Sequence, residues 1–407
     1  MTNGTFVDVF IDRFFSGLRR WDAIHFLHIA RFGYIYENSL AFFPTYPLLF
    51  IRPLANLFNQ ILAESTAYLF SAISINFLLG LLNVYLLFQL TLKYNFNRNQ
   101  ALWTSILYMI NPASVFFLAP YSETSFLCTQ LLGHYYFKSN QMLISSLCFA
   151  LGASIRSNGI VSFGFIFYHY LKQIYQTRKV IFPLHYFILC LSPFLLVQYY
   201  QYEQFCFERT IPSELKIYGL NENLPMPLKN FTSSWCLKPI PLSYQYVQKT
   251  HWNVGFLNYW TWKQIPNFLL ALPVFILIIQ FLRIWFPLIQ HDLRKERLNY
   301  FFLERTSREE KKHGLTTKQF LPHIIYMVVL SLFALFFMHV QVTTRFLFSS
   351  GPLLYWICMS RVQQYDIQHA NLKRMFYLLK NEKFLFYYYL SYVISGLILF
   401  SNFLPWT

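Results

Sequence analysis

The sequence predicts an all-α polytopic membrane protein, and three observations support this fold class. Of the 407 residues, 56% are hydrophobic and 21% aromatic, whereas only 12% are charged, about half of the charged share of a soluble domain. Apolar runs long enough to cross a hydrocarbon core of about 30 Å recur along the chain. Between these runs, Lys and Arg are concentrated in alternate connecting segments. These observations exclude a soluble globular protein.

Eight apolar runs are predicted to be membrane spans. They lie near residues 65–90, 101–119, 122–137, 180–200, 264–290, 321–340, 346–360 and 384–404. A further apolar segment, 142–170, is interrupted at its middle by SIRSNG, which contains Arg156. One steep span and two half-length helices that meet at the break fit this segment equally well. We favour the re-entrant pair, because Lys138 before the segment and Lys172 after it then lie on the same side.

The distribution of basic residues predicts the orientation of the chain. With the re-entrant pair, one face carries the loops 91–100, 138–141, 171–179, 291–320 and 361–383. These loops contain 19 Lys or Arg, whereas the short turns 120–123 and 341–345 on the opposite face contain only Arg345. By the positive-inside rule the first face is cytosolic. The long loops 1–64 and 201–263 are therefore predicted to be lumenal or extracellular, and they precede the transmembrane bundles 65–200 and 264–407.

The net charge of +16 raises the question of nucleic-acid binding. Because the basic residues are spread over loops between spans, topology and anionic lipid explain the charge better, and no nucleic-acid partner is predicted. The sequence contains no glycine-rich nucleotide-binding loop, no Walker motif and no Cys/His pattern typical of zinc. This argues against an ATP-driven pump, and no metal site is predicted.

Two features of the long loops agree with a lumenal location. Asn230 begins the N-glycosylation sequon NFT, and Asn3 begins a second sequon, NGT. Cys206 and Cys236 share the loop 201–263, and an oxidising lumen permits a bridge between them. We predict glycosylation of Asn230 and a disulfide between the two cysteines, although the pattern is also compatible with two unpaired thiols.

The stretch RWDAIHFLHIARFGY, Arg20 to Tyr34, places polar residues in an otherwise apolar sequence. Asp22, one of only 17 carboxylates, follows Trp21 on the predicted lumenal side. Polar groups held at a membrane face cost free energy, so they are usually functional or paired. A lumenal carboxylate on an amphipathic aromatic helix suits a general base that deprotonates a sugar hydroxyl. The alternative is a surface ion pair between Arg20 and Asp22, with Trp21 as an anchor at the bilayer interface.

Two neighbours of Asp22 and one acidic residue after the predicted helix are also considered. Trp21 and His25 are candidate substrate contacts because they flank Asp22. Glu37 is placed past the helix, so we expect the change Glu37→Gln to be mild.

Two further stretches carry candidate substrate contacts of opposite charge. In NPASVFFLAPYSETSF, Glu123 is the only carboxylate between residues 65 and 202, and it lies at a predicted lumenal turn. In SIRSNG, the guanidinium of Arg156 can bind a phosphate in bidentate fashion, with Asn158 beside it. Each residue also has a simpler structural role, Glu123 as a helix cap and Arg156 as a snorkelling residue.

The last candidates come from HWNVGFLNYWTWKQIPNFLLALP and QVTTRF, which precede predicted spans. Their aromatic and amide groups suit stacking on and hydrogen bonding to a sugar, and their arginine suits a phosphate. The candidates are Trp252, Asn253, Gln264, Gln341 and Arg345. As alternatives, the tryptophan belongs to an interface belt and the arginine is an anchor. The convergence of five polar and aromatic stretches on one predicted face favours a functional site.

Several of these stretches also resemble a known family. The blocks are RWDAIHFLHIARFGYIYENSLAFFPTYPLL, NPASVFFLAPYSETSF, SIRSNG, SYQYVQKTHWNVGFLNYWTWKQIPNFLLALP and QVTTRFLFSSGPLLYW. They resemble, in order across residues 19–356, the signature blocks of the GPI mannosyltransferase 2 family, also called phosphatidylinositol-glycan class V. The resemblance implies a GT-C-type glycosyltransferase helix bundle with lumenal loops in the endoplasmic reticulum membrane.

The resemblance also implies the reaction. A member of this family transfers the second mannose, in α1,6 linkage, from dolichyl-phosphate mannose to the glycosylphosphatidylinositol (GPI) precursor. Transfer from a β-linked donor to an α-linked product is an inversion that needs one base, and the resemblance assigns this role to Asp22. No cofactor or divalent metal is expected, since dolichyl phosphate is already a competent leaving group. Arg156 and Arg345 are phosphate candidates by charge alone, and a small membrane subunit is a further expected partner.

Other interpretations of the sequence remain open. Family members carry a transmembrane helix ahead of the Trp-Asp motif, whereas MTNGTFVDVFIDRFF is too short and too polar to span. We therefore expect either that the sequence is incomplete or that its start lacks the first helix. In both cases the lumenal delivery of residues 1–64 is in question, and an inactive, truncated homologue is an alternative to the enzyme. The rival classes are a lipid or solute transporter or scramblase, and a non-catalytic subunit. A transporter is expected to show interrupted helices in matching halves, and the sequence shows one interrupted segment.

Overall fold

All the regular secondary structure of the described residues is helical. The computed structural model describes residues 5–178, 184–228, 233–296, 315, 318–363, 382–404 and 406. The α-helices in these ranges are Phe6–Phe15, Asp22–Phe32, Arg52–Phe58, Glu64–Lys93, Arg98–Met109, Ser114–Leu118, Glu123–Lys138, Met142–Ile155, Phe163–Thr177, Leu184–Phe205, Ser213–Asn221, Ser243–Thr250, Ile265–Glu296, Leu321–Phe337, Thr343–Phe348, Leu353–Gln363 and Lys383–Ser401. Within the same ranges there is no β-strand. The predicted all-α class is confirmed.

Four helical stretches are long and apolar enough to cross a membrane. They are Glu64–Lys93, Trp262–Pro287, Lys318–Phe337 and Lys383–Ser401. Large apolar side chains such as Leu78, Leu269 and Leu397 remain exposed on them, as expected where lipid rather than protein covers a helix. The chain is a multi-pass membrane protein.

Two of the predicted spans are not continuous helices, and the predictions 101–119 and 346–360 are wrong in this respect. The first divides into Arg98–Met109 and Ser114–Leu118, and the second into Thr343–Phe348 and Leu353–Gln363. A proline lies in each break, and its ring and missing N–H disfavour a continuous helix. At the first break the side chain of Asn111 accepts a hydrogen bond from the Ala113 N–H (2.8 Å), which partly satisfies the interrupted backbone.

The interrupted segment 142–170 forms two helices. Met142–Ile155 ends at Arg156, whose backbone is extended, and Phe163–Thr177 follows after a short 3₁₀ turn. Phe165 of the second helix stacks on Phe149 of the first, with 5.9 Å between ring centroids, so the chain turns back along itself. Gly159 makes this turn possible, because a Cβ atom there would lie 2.5 Å from the backbone nitrogen of Ala153. A re-entrant position in the membrane stays a prediction.

Buried amides of the helix Glu64–Lys93 fix the turn that follows Ser114–Leu118. The side chain of Asn76 donates hydrogen bonds to the carbonyls of Ala119 and Tyr121. The side chain of Asn83 donates to the Thr124 carbonyl at 3.0 Å. Both asparagines are buried, and such bonds between helices hold backbone groups that no water can satisfy in an apolar interior. They position the residue between these carbonyls, Glu123.

The loop 201–263 folds over the N-terminal segment. Gln201 donates to the Leu40 carbonyl (2.9 Å), and the fully buried Trp235 lies in the same contact region. Cys206 and Cys236 are joined by a disulfide with 5.6 Å between Cα atoms. Asn230 lies outside the described residues, as do most residues of the two predicted cytosolic loops 291–320 and 361–383.

The disulfide is expected to stabilise this loop. In Cys206→Ser, loss of a bridge that closes a separation of 30 residues should reduce the free energy of unfolding by about 3–4 kcal/mol in the chain-entropy treatment. The measurement is thermal unfolding in detergent, compared with Cys128→Ser, which removes a free buried thiol. Alkylation of both Cys206 and Cys236 in non-reduced protein would show that the bridge does not form.

Candidate active site

Asp22 is the first residue of the helix Asp22–Phe32, and the backbone before it is unusual. Trp21 has a φ of 55°, in the left-handed region that bulky residues rarely adopt. Such strained residues concentrate at functional sites, because surrounding contacts must maintain them. Here the Asp22 N–H donates to the hydroxyl of the buried Tyr121 at 3.1 Å, and the ring of Trp21 packs on Phe403, 5.0 Å between centroids. These contacts hold Asp22 over the helix bundle.

Asp22 is part of a cluster of four charged side chains drawn from four segments. Arg345 donates from Nη2 to Asp22 Oδ2 at 2.7 Å and from Nη1 to Glu123 Oε1 at 3.3 Å. Arg156 Nη1 lies 2.7 Å from the same Glu123 oxygen. Two carboxylates thus face two guanidinium groups, and the cluster is formally neutral. We call these four residues the charge cluster.

The surface pair of Arg20 with Asp22, weighed from the sequence, is not present. Arg20 Nε instead donates to the Ser401 carbonyl at 3.3 Å. Arg345 is no surface anchor either, because it is buried in the bundle with its guanidinium also over the ring of Phe116, 5.0 Å from the centroid. The partner of Asp22 is therefore a residue 323 positions away in the sequence.

Exposure divides the charge cluster into an inner and an outer part. The side chain of Glu123 is fully buried and that of Arg345 is 10% exposed, whereas Arg156 is 19% and Asp22 23% exposed. Glu123 Oε2 and Arg345 Nε have no hydrogen-bond partner among the described residues. The inner pair fixes the geometry, and a ligand can reach the outer pair, Asp22 and Arg156.

Aromatic rings lie beside Asp22. His25 stacks on Phe42 with 4.7 Å between centroids, and Trp252 meets the edge of both rings at 5.7 and 5.6 Å. Burial lowers the pKa of His25, although the charge of Asp22 opposes this shift, so the imidazole is neutral at physiological pH. We call His25, Phe42 and Trp252 the aromatic wall. Its rings suit stacking on a sugar face and its polar atoms suit hydrogen bonds to hydroxyls.

Asn158 and the two predicted glutamines are hydrogen-bonded to other side chains. Asn158 donates to Ser350 Oγ at 3.3 Å and is buried. Gln341 accepts from the hydroxyl of Tyr259 at 2.6 Å, and Gln264 accepts from Asn267, which also donates to that hydroxyl. Gln264 and Gln341 therefore belong to one amide network around Tyr259.

This amide network reaches the aromatic wall through one histidine. His339 stacks on Tyr259 (4.8 Å), and its Nε2 hydrogen-bonds to the Trp252 carbonyl at 2.6 Å. Asn253, in contrast, is exposed, and its side chain accepts a hydrogen bond from Asn258 in its own loop. The structure thus brings Trp252 to His25, one helical turn from Asp22, and leaves its neighbour Asn253 at the surface.

Glu37 has a larger structural role than the sequence suggested. It is buried, and its carboxylate accepts hydrogen bonds from Ser233 Oγ, Trp235 Nε1 (2.8 Å) and His251 Nε2 (2.7 Å). The mild effect expected of Glu37→Gln stays untested, but the loop 201–263 covers this residue, so its hydrogen bonds give a reason to expect a larger effect. The available signal was the scarcity of carboxylates on the predicted lumenal side.

In the part of the chain that the structure describes, no three or more His, Cys, Asp or Glu side chains are grouped as metal ligands would be. Independence from metal stays a prediction.

The helix bundle, with a carboxylate and guanidinium groups near aromatic rings, suits a membrane-embedded glycosyltransferase, an enzyme that acts on sugar and phosphate groups. Comparison with known proteins agrees with this class. The chain belongs to the mannosyltransferase (PIG-V) family, whose sequence model matches residues 1–407.

Curated relatives cover nearly the whole chain. GPI alpha-1,6-mannosyltransferase 2 of Homo sapiens is 32% identical over 99% of this chain and 90% of its own length. The protein of the same name from Rattus norvegicus is 34% identical over 98% and 90%. GPI mannosyltransferase 2 of Drosophila melanogaster is 32% identical over 100% and 90%. No solved structure matches the chain. These similarities do not favour the transporter or scramblase alternative.

Proposed function

We propose that this protein transfers the second mannose, in α1,6 linkage, from dolichyl-phosphate mannose to the GPI precursor at the lumenal face of the endoplasmic reticulum membrane. The observation that carries the proposal is the charge cluster, a formally neutral set of four side chains in which Asp22 and Arg156 are the partly exposed members and Glu123 and Arg345 the buried ones. The names of the curated relatives supply the sugar linkage and the acceptor class.

Asp22 is the general base of the proposed reaction. Its carboxylate takes the proton of the acceptor hydroxyl while that oxygen bonds to the anomeric carbon of mannose. The bond between this carbon and the phosphate oxygen breaks, and dolichyl phosphate leaves with the electron pair. Because Arg345 donates to Oδ2 at 2.7 Å, Oδ1 is the oxygen left to accept the proton.

Arg156 is the phosphate ligand in this proposal. Its guanidinium is bonded on one side to Glu123 and Ser122 Oγ (3.3 Å) and is partly exposed on the other. A planar guanidinium held by a carboxylate keeps free N–H groups for a second anion. Arg345 is more buried and already holds both carboxylates, so its role is to orient Asp22.

Complementation tests the proposed function. A cell that lacks the second GPI mannose should regain surface display of GPI-anchored protein when this chain is expressed. Mannose transfer from dolichyl-phosphate mannose to the precursor in its membranes should appear together with that display. Display without transfer, or transfer of a sugar other than mannose, would contradict the proposal.

The proposed topology leads to a separate prediction. Asn230 should be lumenal and glycosylated, so a glycosidase-sensitive mass shift is expected in the parental protein and not in Asn230→Gln. The segment 291–320 should be cytosolic and therefore open to protease in sealed microsomes. Protection of 291–320 from protease would overturn the topology.

A further inference from the structure

Glu37 joins two parts of the loop 201–263 to the N-terminal segment. Its three hydrogen-bond donors come from positions 233, 235 and 251, on both sides of the helix Ser243–Thr250. The carboxylate itself is 3% exposed. A buried carboxylate that accepts several hydrogen bonds is a strong tether, since bonds to a charged acceptor exceed those between neutral groups.

This tether acts on the residue next to His251. Trp252 follows it directly, and its indole N–H donates to the carbonyl of Asn38, the residue after Glu37, at 3.2 Å. Two adjacent residues of the loop are thus bonded to two adjacent residues of the N-terminal segment. His339 holds the Trp252 carbonyl from a third segment. The position of the Trp252 ring is therefore set by polar contacts on its backbone and its indole nitrogen.

The Trp252 ring is also the part of the aromatic wall that the loop contributes. The other two rings, His25 and Phe42, lie in the N-terminal segment. His25 lies one turn from Asp22 on the same helix. A displacement of Trp252 would therefore leave a gap in the aromatic wall on the side from which an acceptor hydroxyl approaches Asp22.

We propose that Glu37 is a positioning residue. Through its hydrogen bond to His251 it fixes the position of Trp252, whose ring stacks on the sugar of the acceptor. This inference rests on the proposed function and adds to it the part of the site that binds the acceptor. Glu37 touches no reacting atom. Its loss should weaken binding of the acceptor and leave the proton transfer at Asp22 unaffected.

The test compares steady-state constants for mannose transfer in membranes that contain the full chain. In Glu37→Gln, KM for the acceptor should rise about tenfold, a change that corresponds to about 1.4 kcal/mol, with kcat within about twofold. His251→Gln should show the same split, and the double variant should be no worse than either single variant. Glu64→Gln, which removes a carboxylate paired with Arg31 near the surface, is the matched control and should behave as the parent.

The kinetic constants of these variants decide the inference. A fall in kcat with KM unchanged, or parental constants in both single variants, would overturn it. Should Glu37→Gln fail to accumulate, or show free thiols at Cys206 and Cys236, His251→Gln decides by the same constants, because Ser233 and Trp235 still hold Glu37 in that variant. If Asp22→Asn loses activity while Glu37→Gln and His251→Gln keep the parental constants, the positioning role of Glu37 is rejected. The proposed function is not affected by that result.

Discussion

The variant Asp22→Asn is expected to transfer mannose about 10²–10⁴-fold more slowly than the parental protein, the usual contribution of a general base. Asparagine keeps the shape and can still face Arg345, but its amide cannot take a proton. The measurement is the rate of mannose transfer to the GPI precursor at equal protein level. Asp22→Glu should retain part of the activity, because a longer carboxylate still accepts the proton when it reaches the hydroxyl.

Controls separate catalysis from folding in this experiment. Asp12→Asn removes another carboxylate of the N-terminal segment, one paired with Arg19 at 3.0 Å and about half exposed, and should have parental activity. The Asp22→Asn protein should also unfold at a temperature close to that of Asp22→Glu. A stable Asp22→Asn protein with the parental rate would remove Asp22 from the chemistry.

A second large effect is expected at Glu123. This carboxylate is fully buried and bonds both guanidinium groups of the charge cluster, so Glu123→Gln leaves the buried Arg345 and the partly exposed Arg156 with one carboxylate between them. Breaking a buried ion pair by removal of one partner typically costs about 3–5 kcal/mol. The apparent Tm in detergent should fall, and transfer activity should fall with it because Arg156 and Arg345 lose their common partner.

A double variant makes this prediction specific to charge. Glu123→Gln combined with Arg156→Gln restores a neutral cluster, so the apparent Tm should recover part of its decrease. Activity should stay low, because the phosphate ligand Arg156 is absent. An apparent Tm for Glu123→Gln equal to that of the parent would show that Glu123 is not the common partner of the two arginines.

The sequence located the members of the charge cluster but not their pairing. Asp22, Glu123, Arg156 and Arg345 were each recognisable because a charged group in an apolar chain is rare and costly. Their pairing depends on tertiary structure, and the nearest basic residue, Arg20, was the wrong partner for Asp22. A helix that begins at Asp22 directs Arg20 to the carbonyl of Ser401 instead.

Burial of polar loop residues was the least predictable feature. Glu37 lies among aromatic residues, yet only the fold of a loop some 200 positions later covers it. The helix breaks were partly predictable from the sequence. The apolar runs 101–119 and 346–360 pointed to spans, whereas the prolines within them determined where the helices end.

The neutrality of the charge cluster has a consequence for turnover. When Asp22 takes a proton, it ceases to be an anionic partner of Arg345, and the cluster carries a net charge of +1. This occurs at the moment when the leaving phosphate gains negative charge. Attraction between enzyme and leaving group is therefore greatest during bond cleavage and decreases once Asp22 returns its proton to water. Arg156 can thus hold dolichyl phosphate in the transition state and release it as product.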